Sequence, residues 1–229
     1  RAEVRRVDDV LLLEVERGEV ARRIELEPPR GVRVHEIDQL FERKDSAPDE
    51  LCVLVTGGSQ GARTLNTAIA TAYGTTPPFT LIHIAGGKQV EDVRTLLGAE
   101  PDAEHYRLMG FTDRFHQAVA AADLVVSRSG GTVFELAAIG RPAILVPYPH
   151  AVDDHQTGNA RFLSESGAAF LIPQSELTPS GLASLISQLR RPALAVMAGK
   201  ARALGKRDAA QVVADACETV ARPARAQGA

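Results

Sequence analysis

Three short stretches carry residue types suited to holding a phosphorylated ligand. The first is Gly57-Gly58-Ser59-Gln60-Gly61-Ala62-Arg63, directly after the apolar run Leu51–Thr56. Glycines permit positive φ and let a ligand approach the backbone. Free amides at the helix start that follows attract phosphate. Ser59 adds a hydroxyl donor, and Gln60 an amide donor with a carbonyl acceptor. The loop fits neither GxGxxG nor GxxxxGK[ST], so neither a dinucleotide site nor a P-loop follows from it. The plain alternative is a tight turn that serves packing alone.

The second stretch, Ser127-Arg128-Ser129-Gly130-Gly131-Thr132-Val133-Phe134-Glu135, repeats the arrangement. Gly130-Gly131 make the turn and Thr132 opens a helix. This suits a second phosphate, or the other side of one diphosphate. Glu135 follows Gly131 by about one helical turn. A carboxylate there can accept hydrogen bonds from both hydroxyls of a ribose, or simply favour the helix start by its charge.

The third stretch runs from Pro147 to Asn159. Its two prolines stiffen the exit from a strand. Asp153, Asp154 and Gln156 offer a mixed donor and acceptor set for sugar hydroxyls, and Asn159 sits three residues beyond Gln156. His150, Asp153, Asp154 and His155 match no strong zinc spacing such as HExxH, so no metal is expected. His150 and His155 read as loop braces rather than catalytic bases. Elsewhere, Gly110-Phe111-Thr112 follows a strand, where its backbone could read the edge of a base. Phe111 could equally be core. His83, inside an apolar strand, reads as a satisfied core histidine.

The elements that must position these stretches alternate regularly. Strands are expected at 51–56, 80–85, 106–109, 124–127, 143–146 and 168–172. Helices are expected at 62–73, 89–97, 115–121, 133–139 and 155–164, with two or three closing helices over 177–189 and 193–220. Most strands are continuous apolar runs, the mark of a parallel sheet covered on both faces. The expected fold is therefore α/β, a Rossmann-like three-layer parallel sheet. In such sheets ligands sit beyond the carboxyl ends of the strands, and all three stretches lie there. Residues 1–45 are less clear. Val10–Leu13 and Ile24–Leu26 read as strands of a hairpin turning at Glu16–Glu19, Arg1–Arg6 as solvated surface, 46–50 as a linker and 221–229 as a tail.

Composition narrows the classes. With 229 residues, 45% of them hydrophobic, the chain can bury a sizeable core. A net charge of -3 argues against a nucleic acid as the bulk partner. Two distant cysteines, Cys52 and Cys217, rule out a disulfide framework or a CxxC zinc site. No apolar run reaches the length of a membrane span. The first residue is Arg1, so the numbering need not start at a gene start, and the chain is expected to be a piece of a longer enzyme.

A nucleoside diphosphate sugar would use all three stretches. Glycosyl transfer from it would draw on amides and helix dipoles to offset charge on the departing diphosphate. The acceptor hydroxyl would still need a base, and the chain contains no convincing candidate. That points to a base supplied from another domain or subunit.

The runs Gly57–Asn66, Ser127–Glu135 and Asp154–Ala160, in that order, resemble the carboxyl-terminal half of the MurG family of peptidoglycan glycosyltransferases, which belongs to glycosyltransferase family 28 and has the GT-B architecture. The resemblance covers about residues 50–220. It implies UDP-GlcNAc as the donor, no cofactor or metal, and inverting transfer of N-acetylglucosamine to a lipid-linked muramoyl-pentapeptide. It implies that Ser59 and Gln60 contact the diphosphate and that Phe111 and Thr112 lie beside the uracil. Thr132 would meet phosphate and Glu135 the ribose, with Arg128 and Gly131 in the same binding set. Gln156, with Asp154 and His155, would face the sugar hydroxyls. The family's acceptor domain, its glycine-rich loop with a candidate base and its membrane-facing patch lie in an amino-terminal half that residues 1–45 do not match. Full family members are peripheral on the cytoplasmic face of the bacterial inner membrane. Two rivals stay open: another UDP-sugar enzyme of this architecture, such as a UDP-GlcNAc 2-epimerase, and a non-catalytic donor-binding module that needs a separate acceptor subunit.

Overall fold

The computed structural model describes residues 2–7, 10–17, 20–26, 50–58 and 61–221. The chain divides into two compact units, Arg1–Arg43 and Lys44–Ala229. The calls for residues 46–49 and 222–229, as linker and tail, lie outside the described residues.

The first unit holds an antiparallel sheet, β1 (Ala2–Val7), β2 (Val10–Arg17) and β3 (Val20–Leu26), in that order. The expected hairpin is the β2–β3 pair, with Leu13 opposite Ile24 and Leu11 opposite Leu26. Its strands are longer than the apolar runs suggested, and Glu16-Arg17, expected in the turn, belong to β2. In the register of that pair Glu14 stands opposite Arg23. Gly18 and Glu19, the rest of that turn, lie outside the described residues. β1 falls on the Arg1–Arg6 stretch expected as solvated surface, where no strand was expected.

The second unit is a six-stranded, all-parallel sheet in the order β6-β5-β4-β7-β8-β9. Its strands are β4 (Cys52–Thr56), β5 (Thr80–Ile84), β6 (Tyr106–Met109), β7 (Leu124–Ser127), β8 (Ala143–Leu145) and β9 (Ala169–Leu171). Its helices are α1 (Arg63–Tyr73), α2 (Val90–Leu97), α3 (Phe115–Ala121), α4 (Thr132–Ile139), α5 (His155–Ser164), α6 (Pro179–Gln188) and α7 (Arg191–Leu204), followed by α8 (Ala209–Ala221), which is exposed over 209–220. Every expected strand of the sheet is present to within one residue at either end. The architecture is the Rossmann-like three-layer fold read from the sequence.

The continuous apolar runs occupy the middle of the sheet. All five residues of β4 and all four of β7 are buried. On the α1 side, Val53, Leu65, Ile69, Val126 and Ile144 share one core with Leu182 and Ile186 of α6. Strand order runs outward in one direction from β4 and in the other from β7. The chain therefore switches direction between these neighbours, leaving a crevice at their carboxyl ends. α1 leaves β4 at that crevice, and α4 leaves β7.

One buried polar chain crosses this core. Asn66 Nδ2 donates to the Ala85 carbonyl (2.8 Å) and to Gln89 Oε1 (3.0 Å). Its Oδ1 must then accept from His83 Nε2 at 3.0 Å, which places the ring proton on Nε2. Nδ1 is left to accept from the Tyr106 hydroxyl at 2.8 Å. Burial lowers the His83 pKa from 6.5 to about 4, so the ring is neutral at pH 7. His83 is the satisfied core histidine the sequence suggested. At the amino-terminal edge of the sheet, Asp123 accepts from the Cys52 amide (2.9 Å) and pairs with Arg191 of α7 (3.3 Å). Cys52 is buried and Cys217 exposed, and neither forms a disulfide.

Candidate functional site

The carboxyl ends of β4 and β7 open into a cleft of about 860 Å³. The first glycine loop forms one wall. Gly61 N–H donates to the Gly58 carbonyl at 3.0 Å, closing a turn that delivers the chain into α1. Gly57 has no room for a side chain: a Cβ there would stand 2.2 Å from the Ala62 nitrogen. Gly61 adopts φ +72, a left-handed conformation, and a Cβ would meet the Ala85 carbonyl at 2.6 Å. The N-cap residue of α1, Ala62, makes no side-chain cap bond. Gly57, Gly58, Gly61, Arg63 and Thr64 line the cleft. Ser59 and Gln60, the two side chains assigned to the diphosphate, lie outside the described residues.

The second loop forms the facing wall, with Arg128, Gly130, Gly131, Thr132 and Glu135 lining it. Gly131, the N-cap residue of α4, has no side chain to cap it, and the Val133 and Phe134 amides donate to the Gly130 and Gly131 carbonyls. Two helix beginnings, each the positive end of a helix dipole, thus border one cleft. Glu135 lies in the first turn of α4 and is exposed. Among the described residues its carboxylate has no hydrogen-bond or ion-pair partner. A helix-capping role for Glu135 therefore has no bond behind it, whereas its oxygens are available to hydroxyl donors.

Ser129 ties the second loop to the third. It is fully buried, and its hydroxyl donates to the Gln156 carbonyl at 2.7 Å. Asn159 Nδ2 returns a bond to the Ser129 carbonyl at 3.0 Å. Gln156 lines the cleft, and its Oε1 accepts from the Tyr148 amide at 3.0 Å. Its Nε2 has no partner among the described residues and is a ready donor. Asp153 and Asp154 both adopt left-handed backbone, φ 52 and 50, turning the chain sharply into α5. Asp154 Oδ1 accepts from the Thr157 hydroxyl (2.6 Å). His155 Nδ1 donates to the Val152 carbonyl (2.8 Å). His155 is thus the loop brace the sequence suggested.

The structure brings Arg128, Gly131, Thr132, Glu135 and Gln156 to one cleft. It does not bring Phe111, Thr112, Asp154 or His155 to the cleft wall. Phe111 is 71% exposed, which removes the core reading. Thr112 accepts from the Arg114 amide at 3.1 Å, holding the turn before α3. Three lining residues escaped the sequence reading: Gln89, Tyr148 and Gln174. Each lies just beyond a strand's carboxyl end, after β5, β8 and β9. That position was the available signal: Gln89 follows Gly86-Gly87 and Tyr148 sits within the third stretch, yet none of the three side chains was given a ligand role. Among the described residues, no three His, Cys, Asp or Glu side chains gather as a metal-holding group. No helix there is long and apolar enough to cross a membrane.

Comparison with known proteins agrees with this geometry. The model of the glycosyltransferase family 28 C-terminal domain matches residues 52–213. The UDP-N-acetylglucosamine–N-acetylmuramyl-(pentapeptide) pyrophosphoryl-undecaprenol N-acetylglucosamine transferase of Ralstonia nicotianae is 49% identical over 177 residues, which cover 75% of this chain and 48% of the relative. Its counterpart in Azoarcus sp. is 48% identical over 178 residues, covering 75% and 49%. The crystal structure of Acinetobacter baumannii MurG superposes with a TM-score of 0.67 at 36% identity, covering 78% of this chain and 55% of that one. The chain spans about half the length of the curated relatives it matches.

Proposed function

Because the chain belongs to glycosyltransferase family 28, we propose that it is the donor-binding half of a GT-B enzyme that transfers N-acetylglucosamine from UDP-GlcNAc to lipid-linked muramoyl-pentapeptide, converting lipid I to lipid II. The observation that carries this reading is the convergence on a single cleft of two helix starts and one carboxylate that has no partner among the described residues. A diphosphate answers the amides, and a ribose diol answers Glu135. In this reading residues 51–220 are the donor domain.

Each residue then has a role. The amides at the starts of α1 and α4 hold the diphosphate, with Ser59, Gln60, Gly131 and the Thr132 hydroxyl. Arg128 adds a full positive charge. As the glycosidic bond to the anomeric carbon breaks, negative charge grows on the departing UDP, and these fixed dipoles stabilise it without reorganising. Gln156 presents Nε2 to the sugar. Asp154 and His155 for the sugar, and Phe111 and Thr112 for the uracil, do not line the cleft and enter this reading by the family resemblance alone. The base that takes the acceptor hydroxyl proton comes from an amino-terminal acceptor domain, which also carries the lipid contact on the cytoplasmic face of the membrane.

Titration calorimetry tests this directly. UDP-GlcNAc should bind more tightly than UDP-glucose or UDP-galactose, and the reverse order would overturn the donor assignment and favour another UDP-sugar enzyme. Glu135→Ala should weaken UDP binding by about 1–3 kcal/mol, the value of hydrogen bonds to a charged group. Unchanged affinity in the folded variant would remove Glu135 from the ribose.

A further inference from the structure

Gln174 stands just beyond β9, 46 residues from Arg128 in the chain, and touches it. Its Oε1 accepts from Arg128 Nη2 at 2.5 Å. Arg128 Nη1 donates to the Val146 and Pro147 carbonyls, 3.1 Å each. The Tyr148 ring lies 5.5 Å from the guanidinium carbon. Every group that holds this cation is therefore neutral. Among the described residues no carboxylate lies within ion-pair distance of it. Arg128 is half-buried, and burial lowers its pKa, as expected for a charge deprived of water without a counter-ion. Such a charge costs stability unless something else compensates it.

Both Gln174 and Arg128 line the cleft. A glutamate at this position would have the same shape and would bond a guanidinium more strongly. It would also cancel the charge. We propose that Gln174 is a positioning residue that fixes Arg128 through a neutral amide, leaving the guanidinium charge to a bound diphosphate. The inference rests on the nucleotide-sugar reading of this cleft.

The isosteric substitution Gln174→Glu separates holding Arg128 from leaving it charged. The wild-type chain and the variant would be titrated with UDP and with uridine, which lacks the diphosphate. Q174E should bind UDP at least about tenfold more weakly, since a carboxylate now competes with phosphate for the same cation. Uridine affinity should stay within about twofold, because no charge is involved. In an Arg128→Met background the added Q174E should cost nothing further, as two changes acting through one charge do not add. Undiminished UDP binding by Q174E would overturn the proposal, and so would an equal loss for UDP and uridine. If Q174E does not fold, Gln174→Met carries the test. It removes the acceptor without adding charge, so a UDP loss above about tenfold would overturn the electrostatic role. Failure of the wild-type chain to bind UDP at all would instead sink the reading of the cleft, a result distinct from any of these.

Discussion

At the scale of single residues, charge and protonation separate the binding surface from the core. At the cleft Arg128 is gripped by neutral groups, while His83 is buried neutral between Asn66 and Tyr106. That burial has a consequence for stability. Burial pushes the folded pKa down to about 4, below the ordinary histidine value of 6.5, so between these values the unfolded chain binds a proton that the folded chain refuses. Stability present above pH 6.5 should therefore fall as pH drops towards 4, by up to about 3 kcal/mol. Urea unfolding at several pH values would show the slope. His83→Gln should flatten it in that window, and an unaltered slope in that variant would assign the effect to other groups.

At the scale of elements, the loop between β4 and α1 is built around absent side chains. A methyl on Gly57 would press on the backbone of Gly61 and Ala62 at 2.3 and 2.2 Å, and neither can step aside without opening the turn. Gly57→Ala should destabilise the domain by about 1–3 kcal/mol, the range for forced overpacking. Gly130 makes the contrast, because a Cβ there meets nothing within 4 Å. Gly130→Ala should leave stability within about 0.5 kcal/mol. Chemical denaturation of the two variants side by side decides this. Equal losses would mean that the first loop relaxes more readily than its geometry implies.

For the molecule as a whole, the family match and the length covered bear on activity. The chain corresponds to about half of its curated relatives, and in the proposed reading its cleft holds the donor diphosphate while the base comes from the other half. With UDP-GlcNAc and a lipid-linked muramoyl-pentapeptide, the isolated chain should bind donor and release no UDP above background. Turnover should appear when it is joined to the amino-terminal half of a family member. Transfer by this chain alone would place the base within it and overturn the division of labour.

The alternation of six strands with helices was legible from the residues because parallel strands buried on both faces write continuous apolar runs, and β4 and β7 are such runs. The glycine loops were equally plain, since few other residues fit where Gly57 and Gly61 sit. The amino-terminal β1 was not, because its alternating charges resemble a solvated segment until a neighbour pairs with it. Within the cleft, Gln174 carried no local mark, and the marks beside Gln89 and Tyr148, a glycine pair and two prolines, did not say that their side chains face a ligand. Their place depends on which strands become neighbours, and strand order is a property of long-range pairing that a window of sequence does not contain. The neutral grip on Arg128 is of this kind: a glutamine at one strand end has meaning only after the sheet brings another strand's arginine within hydrogen-bonding distance.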